Sequence, residues 1–157
     1  MNPNFRIVAL PRERFSELFA LDDDALGARG IQSHIVQERH AAPCRVSLAD
    51  AAVGERVLLL PFTHHDVDTP YRGSGPIFVR EAAVTAQPAP GEIPESIARR
   101  LLSVRAYDAR GVLLTSDVLE GTTLAERARA FLEDPAVAYL HVHNARPGCY
   151  ACRIERA

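Results

Sequence analysis

The sequence predicts an α+β fold, a mainly antiparallel sheet with a few helices packed on one face, in a single domain over residues 1–157. Three observations predict it. Most neighbouring apolar runs are short and joined by turn-length connections. Helical patterns fall between groups of such runs instead of alternating with them, as they would in a parallel βαβ chain. The length of 157 residues, with 47% apolar and 24% charged side chains, suits one hydrophobic core.

The chain opens with a strand at Phe5 to Leu10. Pro11 has the fixed φ of a first helical turn, and Phe15, Leu18 and Phe19 then share one face of an expected helix. Asp22 to Asp24 suit the N-terminus of a second short helix ending near Gly27 or Gly30. Strands are expected at Ile31 to Glu38, at Cys44 to Leu48, and at Glu55 to Phe62, the last apolar on both faces and therefore central. Thr63 to Pro76 reads as a long polar loop, followed by a strand from Pro76 to Ala82. After a Pro/Gly-rich connection from Gln87, Pro94 starts a helix that turns Ile97, Leu101 and Leu102 inward. Ser103 to Asp108 and Val112 to Leu119 form a hairpin around Ala109-Arg110-Gly111. Thr123 and Glu126 fit a capping box for a helix reaching Glu133, and strands at Ala136 to His143 and Cys149 to Glu155 close the chain.

Composition excludes several function classes. A formal net charge of -2 without any basic block argues against nucleic acid as a partner. All basic residues other than histidine are arginine. Met1 to Leu10 lacks the pattern of a secretory signal, and the apolar run Val57 to Leu60 is far too short to span a membrane. Three cysteines, Cys44, Cys149 and Cys152, make an odd set, so reduced thiols and a cytoplasmic location are expected. A homo-oligomer is compatible with all of this.

The last two strands hold the densest chemistry. Side chains alternate across a strand, so Leu140 and Val142 share one face and Tyr139, His141 and His143 the other. In the final strand Tyr150, Cys152 and Ile154 form the apolar set. A five-residue loop, Asn144 to Gly148, aligns the two apolar sets and places Cys149 opposite His143. Cys149 and His143 then form a candidate nucleophile and base. His141 and His143, roughly 6.5 to 7 Å apart along a strand, are candidate metal ligands with Cys149 as a third and His64 or His65 as more distant additions. Imidazoles satisfied by their neighbours are the simpler expectation, so no metal site is assigned, and no pattern names a cofactor. The Cys149-Tyr150-Ala151-Cys152 spacing is not a redox pair, because it falls in a strand and not at a helix N-terminus.

A second segment, Asp68 through Arg80, combines Gly73 and Gly75 with Tyr71, Arg72 and Arg80, residues suited to approaching an anion. It lacks the lysine and spacing of a P-loop. Arg80 and Arg105 lie in otherwise apolar strands, and Arg45 beside Cys44 is a third arginine in apolar surroundings. Arginine is rarely buried unpaired, so Arg80 and Arg105 each call for a ligand, a carbonyl cluster or an internal carboxylate such as Asp50, Glu55 or Asp108. His34, His40 and the His64-His65 pair are expected in edge or loop positions. The leading expectation is a pocket for a small anionic molecule, lined by Tyr71, Arg80, Arg105, His141, His143 and Asn144. An enzyme built on His143 and Cys149, or a structural module, are the alternatives.

Several segments occur together in one order: Cys44-Arg45-Val46-Ser47-Leu48, Gly54 through Leu59, Tyr71 through Arg80, and His141-Val142-His143-Asn144 followed by Gly148-Cys149-Tyr150. Together they resemble a bacterial family known as domain of unknown function 1203, from about Phe5 to Arg156. The resemblance implies a small single-domain cytoplasmic protein and brings no catalytic roles to place on these residues.

Overall fold

Eight strands pair into two antiparallel sheets in the computed structural model, which describes residues 3–157. The larger sheet holds β1 (Phe5–Val8), β5 (Leu101–Tyr107), β6 (Leu113–Glu120), β7 (Tyr139–Asn144) and β8 (Tyr150–Arg156), in the order β1-β8-β7-β5-β6. The smaller holds β2 (Gln32–Ile35), β3 (Arg56–His65) and β4 (Gly73–Arg80), in that order. The helices are short: α1 (Asp23–Ala28), α2 (Glu95–Ala98) and α3 (Leu124–Leu132). The α+β class and the antiparallel pairing are as the sequence predicts, with the strands divided between two sheets. Among the described residues no helix is long and apolar enough to cross a membrane.

Each sheet buries an alternating set of side chains. Leu102, Val104 and Ala106 of β5 join Leu140 and Val142 of β7 and Cys152 and Ile154 of β8 on one face of the larger sheet. Leu124, Ala128 and Leu132 of α3, spaced to share one helical face, cover that layer together with Ile97 of α2. In the smaller sheet Leu58, Leu60 and Phe62 of β3 and Ile77 and Val79 of β4 pack against Phe15, Leu26, Ile31, Cys44 and Val46. The opposite face of the larger sheet is polar and aromatic at its centre. It presents Tyr107, Tyr139, His141 and His143, and the end of β3 packs against it.

Several expected elements end differently. The helix from Pro11 is two short 3-10 turns, Arg12–Arg14 and Ser16–Ala20, broken at Phe15, whose ring is drawn into the second core. The helix at Pro94 stops at Ala98, and Leu101 and Leu102 begin β5 instead, where Leu102 pairs with both Leu119 and Asn144. Cys44 to Leu48 is a loop that touches the smaller sheet through a single bridge from Cys44 to Phe78, with Leu48 at a φ of 53°. Most consequential is β3, which continues through the expected loop to His65, so that only residues 66–72 connect it to β4.

Candidate functional site

Cross-strand register sets the polar face of the larger sheet in rows. Tyr107 of β5 lies opposite Tyr139 of β7, Arg105 opposite His141, and Ser103 opposite His143. On the other side of β7, His141 lies opposite Arg153 and Val142 opposite Cys152, but His143 lies opposite Tyr150. One residue is thus inserted between Cys152 and Tyr150, a β-bulge at Ala151. Its effect is to reverse the parity of the strand beyond it. Ala151 and Cys152 both enter the aliphatic core, and Tyr150 turns to the histidine face. The expected placement of Cys149 opposite His143 is corrected accordingly, since uniform alternation cannot register an inserted residue.

β3 alternates through Leu58, Leu60 and Phe62, and its register against β4 then shifts between Phe62 and His65, so that both His64 and His65 meet the aromatic face of the larger sheet. The His64 ring is stacked 5.4 Å from the Tyr150 ring at an interplanar angle of 7°. Its centroid is 5.0 Å from that of His143 and 6.2 Å from that of His141. One side-chain nitrogen from each of His64, His141 and His143 lies within 4.8 Å of the other two. His64 is half-buried, while His141 and His143 are only 2% and 1% exposed. Gly73 of β4 makes this arrangement possible: a Cβ there would sit 2.9 Å from Cε1 of His64.

The hydrogen bonding of the three rings is incomplete. Among the described residues, Nδ1 of His64, Nδ1 of His141 and Nε2 of His143 are buried and meet no partner. A buried polar atom left unpaired costs on the order of 1–3 kcal/mol, so three on neighbouring rings call for a physical reason. For His143 the tautomer is determined. Its Nδ1 lies 3.0 Å from the Gly148 carbonyl, an oxygen that only accepts, so Nδ1 carries the proton and Nε2 holds a bare lone pair. Burial lowers the pKa of all three groups, His64 and His143 to about 4 and His141 to about 2. Neighbouring charge adds to this: Arg105 acts on His64 and His143, and Arg153 on His141. All three imidazoles are therefore neutral at pH 7.

His65 differs from them. Its Nδ1 donates to the Tyr71 carbonyl at 2.8 Å, and its Nε2 accepts from the Tyr139 hydroxyl at 2.6 Å. It is a satisfied core histidine, 3% exposed, that ties the end of β3 and the 66–72 connection to the larger sheet. Both His64 and His65 depart from the solvated loop positions expected of them. Burial also raises the phenols of Tyr107, Tyr139 and Tyr150, so the layer around the imidazoles is uncharged apart from Arg105 and Arg153. Arg153 is held by Glu155 at 2.7 Å and lies over the Tyr139 ring.

Of the residues singled out in the sequence, Tyr71, Arg105, His141 and His143 gather around this layer, with the Tyr71 ring at its more exposed margin. Arg80 lies at the far end of β4 from Gly73, bound to Glu55 at 2.8 Å and to the Ser47 hydroxyl at 3.1 Å, so its partner is one of the carboxylates anticipated. Asn144 and Cys149 line a separate cavity of about 560 Å³. There Arg45 donates from Nε to the Tyr150 carbonyl at 2.7 Å, to the Pro43 carbonyl, and from NH2 to Cys149 Sγ at 3.1 Å. The guanidinium is thus the closer of the two side chains that donate to the Cys149 thiol. Arg45 is 2% exposed, and burial lowers its pKa, against the opposing influence of Cys149. Cys44 and Cys152 are core residues.

Residues 41–156 match the family model described as Protein of unknown function (DUF1203). The chain belongs to this family. The matched DUF1203 segment takes in His64, His141, His143, Gly73, Arg45 and Cys149, so both the histidine cluster and the arginine-lined cavity fall inside it. No curated protein and no solved structure matches the chain. Its Arg, His and Tyr clusters and the three-histidine arrangement have the potential to bind a ligand or a metal ion.

Proposed function

We propose that the protein binds a divalent transition-metal ion through His64, His141 and His143. The observation that carries this reading is the convergence of three neutral imidazoles, each with a buried nitrogen lacking a partner. A metal ion supplies what those lone pairs lack, and imidazole is a good ligand for zinc, iron, copper and nickel. The Gly148 carbonyl bond to His143 Nδ1 has the form of the outer hydrogen bonds that orient ligating histidines. The nitrogens stand up to 4.8 Å apart, wider than a tetrahedral site with metal–nitrogen bonds of about 2.0–2.1 Å. Binding therefore requires the three rings to close on the ion.

Three protein ligands leave a further coordination position open, the arrangement of metal sites that act on a bound molecule. No carboxylate is in this ligand set, and Arg105 stands nearby, so the open position favours hydroxide or a small anion over a neutral ligand. Cys149 and Arg80 take no part in this reading.

Calorimetric titration of chelator-treated protein with Zn²⁺ tests it. One ion per chain is expected, with affinity reduced at least about 100-fold in His64→Ala and in His141→Ala. His64→Ala is the better-tolerated change, because that side chain is only half-buried. Uptake unaffected by either substitution, or no uptake by the wild type, would contradict the reading.

A further inference from the structure

The cavity of about 560 Å³ takes part of its lining from the β7–β8 turn, through Arg146, Pro147 and Cys149, and includes none of the three histidines. Its volume is that of a small-molecule site, and its lining is unbalanced in charge. Arg45, Arg99, Arg100 and Arg146 face a single lining carboxylate, Glu120. Asp50 pairs with both Arg99 and Arg100, and Glu95 with Arg99. Among the described residues Arg45 and Arg146 meet no carboxylate. Arg45 is the acute case, since a buried charge without a counter-charge is expensive to hold. Two carbonyls and a thiol satisfy three of its donors, from a group that carries five, and none of the three supplies a carboxylate's charge. Leu59, Phe78 and Leu101 add an apolar wall.

We propose that this cavity binds a small organic anion, its carboxylate or phosphate head held by Arg45 and Arg146 and its apolar body against Leu59, Phe78 and Leu101. The anion is the counter-charge that Arg45 otherwise lacks. Bidentate donation from a planar guanidinium suits both head groups, and Asn144 adds an amide at the same wall. The inference is independent of the metal reading, because none of the three histidines lines the cavity.

Cys149 provides an internal reporter, being the least buried of the three cysteines. Chelator-treated protein is alkylated with iodoacetate, an anion, or with neutral iodoacetamide, and the rate is read on the peptide containing Cys149. In each reaction the sulfur attacks the methylene carbon and iodide leaves with its electron pair, so the ratio of the two rates cancels the reactivity of the thiol itself. Field focusing in a cationic cavity raises the local concentration of an anion by about 10-fold or more. The iodoacetate-to-iodoacetamide ratio is therefore expected to be about 10-fold higher in folded than in urea-unfolded protein. It should fall towards the unfolded value in Arg146→Gln, a substitution at an exposed position. Benzoate or phenyl phosphate should slow iodoacetate, and benzyl alcohol should not; whichever anion protects at lower concentration names the head group. Equal ratios in folded and unfolded protein, or a Cys149 that neither reagent reaches in the folded chain, would overturn the proposal.

Discussion

Lowering the pH of metal-free protein should unfold it in a way that reports directly on the buried imidazoles. His143 is 1% exposed, and its pKa falls from 6.5 to about 4, first through burial and then through Arg105, His64 and Arg45, partly offset by the bond to Gly148. Between those two values the unfolded chain binds a proton that the folded chain refuses, so stability is full above pH 6.5 and drains away as the pH falls towards 4. At pH 5.0 the loss from His143 alone is about 2 kcal/mol relative to pH 7.5, and it grows to about 3 kcal/mol once the pH is below both values. His141, lowered to about 2, adds a loss of the same sign that persists to more acid conditions. Urea unfolding followed by far-UV circular dichroism at pH 7.5 and 5.0 measures the difference. The same pair of measurements on His143→Ala isolates the contribution: the variant is less stable at both pH values, but its loss on acidification should be about 2 kcal/mol smaller. Equal losses in the two proteins would refute the reasoning, because the imidazole would then not be held neutral by its surroundings.

Two substitutions separate the roles of neighbouring residues. Gly73→Ala places a methyl group 2.9 Å from the His64 ring and should weaken Zn²⁺ binding about 10-fold or more by turning that imidazole away; unchanged affinity in calorimetry would show that His64 does not need its present position. Glu55→Gln leaves Arg80 without its carboxylate and should cost about 1–3 kcal/mol in urea unfolding, while the zinc affinity and the Cys149 alkylation ratio stay at wild-type values; a shift in either ratio or affinity would bring Arg80 back into a site.

Local pattern made the C-terminal strands legible. The alternation Tyr139, His141, His143 against Leu140 and Val142 assigned the two faces of β7 correctly, and Arg80 met one of its anticipated carboxylates. What failed did so where local pattern stops being informative. An inserted residue at Ala151 has no mark in a run of small and apolar side chains, yet it exchanges Cys149 for Tyr150 as the neighbour of His143. The polar doublet His64-His65 reads as solvated loop because only the packing of β3 against the larger sheet buries it. The i, i+2 series from Leu58 through Phe62, extended two residues further, was a signal for His64 alone, because the register shift between Phe62 and His65 that also turns His65 inward leaves no mark in the sequence. Arg45 was recognisable as an arginine in apolar company, but its contact with Cys149, 104 residues away, arises from tertiary structure alone. The 3-10 turns before α1 show the same limit, since the burial of Phe15 outweighs a helical pattern too short to propagate.

A crystal of the protein soaked with Zn²⁺ and recorded on both sides of the zinc absorption edge tests the central claim most directly. The account predicts one anomalous peak between β3 and β7, with His64, His141 and His143 each contributing a nitrogen at about 2.0–2.1 Å and the Gly148 bond to His143 preserved. A peak bound elsewhere, at the exposed His34 or His40 for example, with the three buried nitrogens still unpartnered, would contradict it.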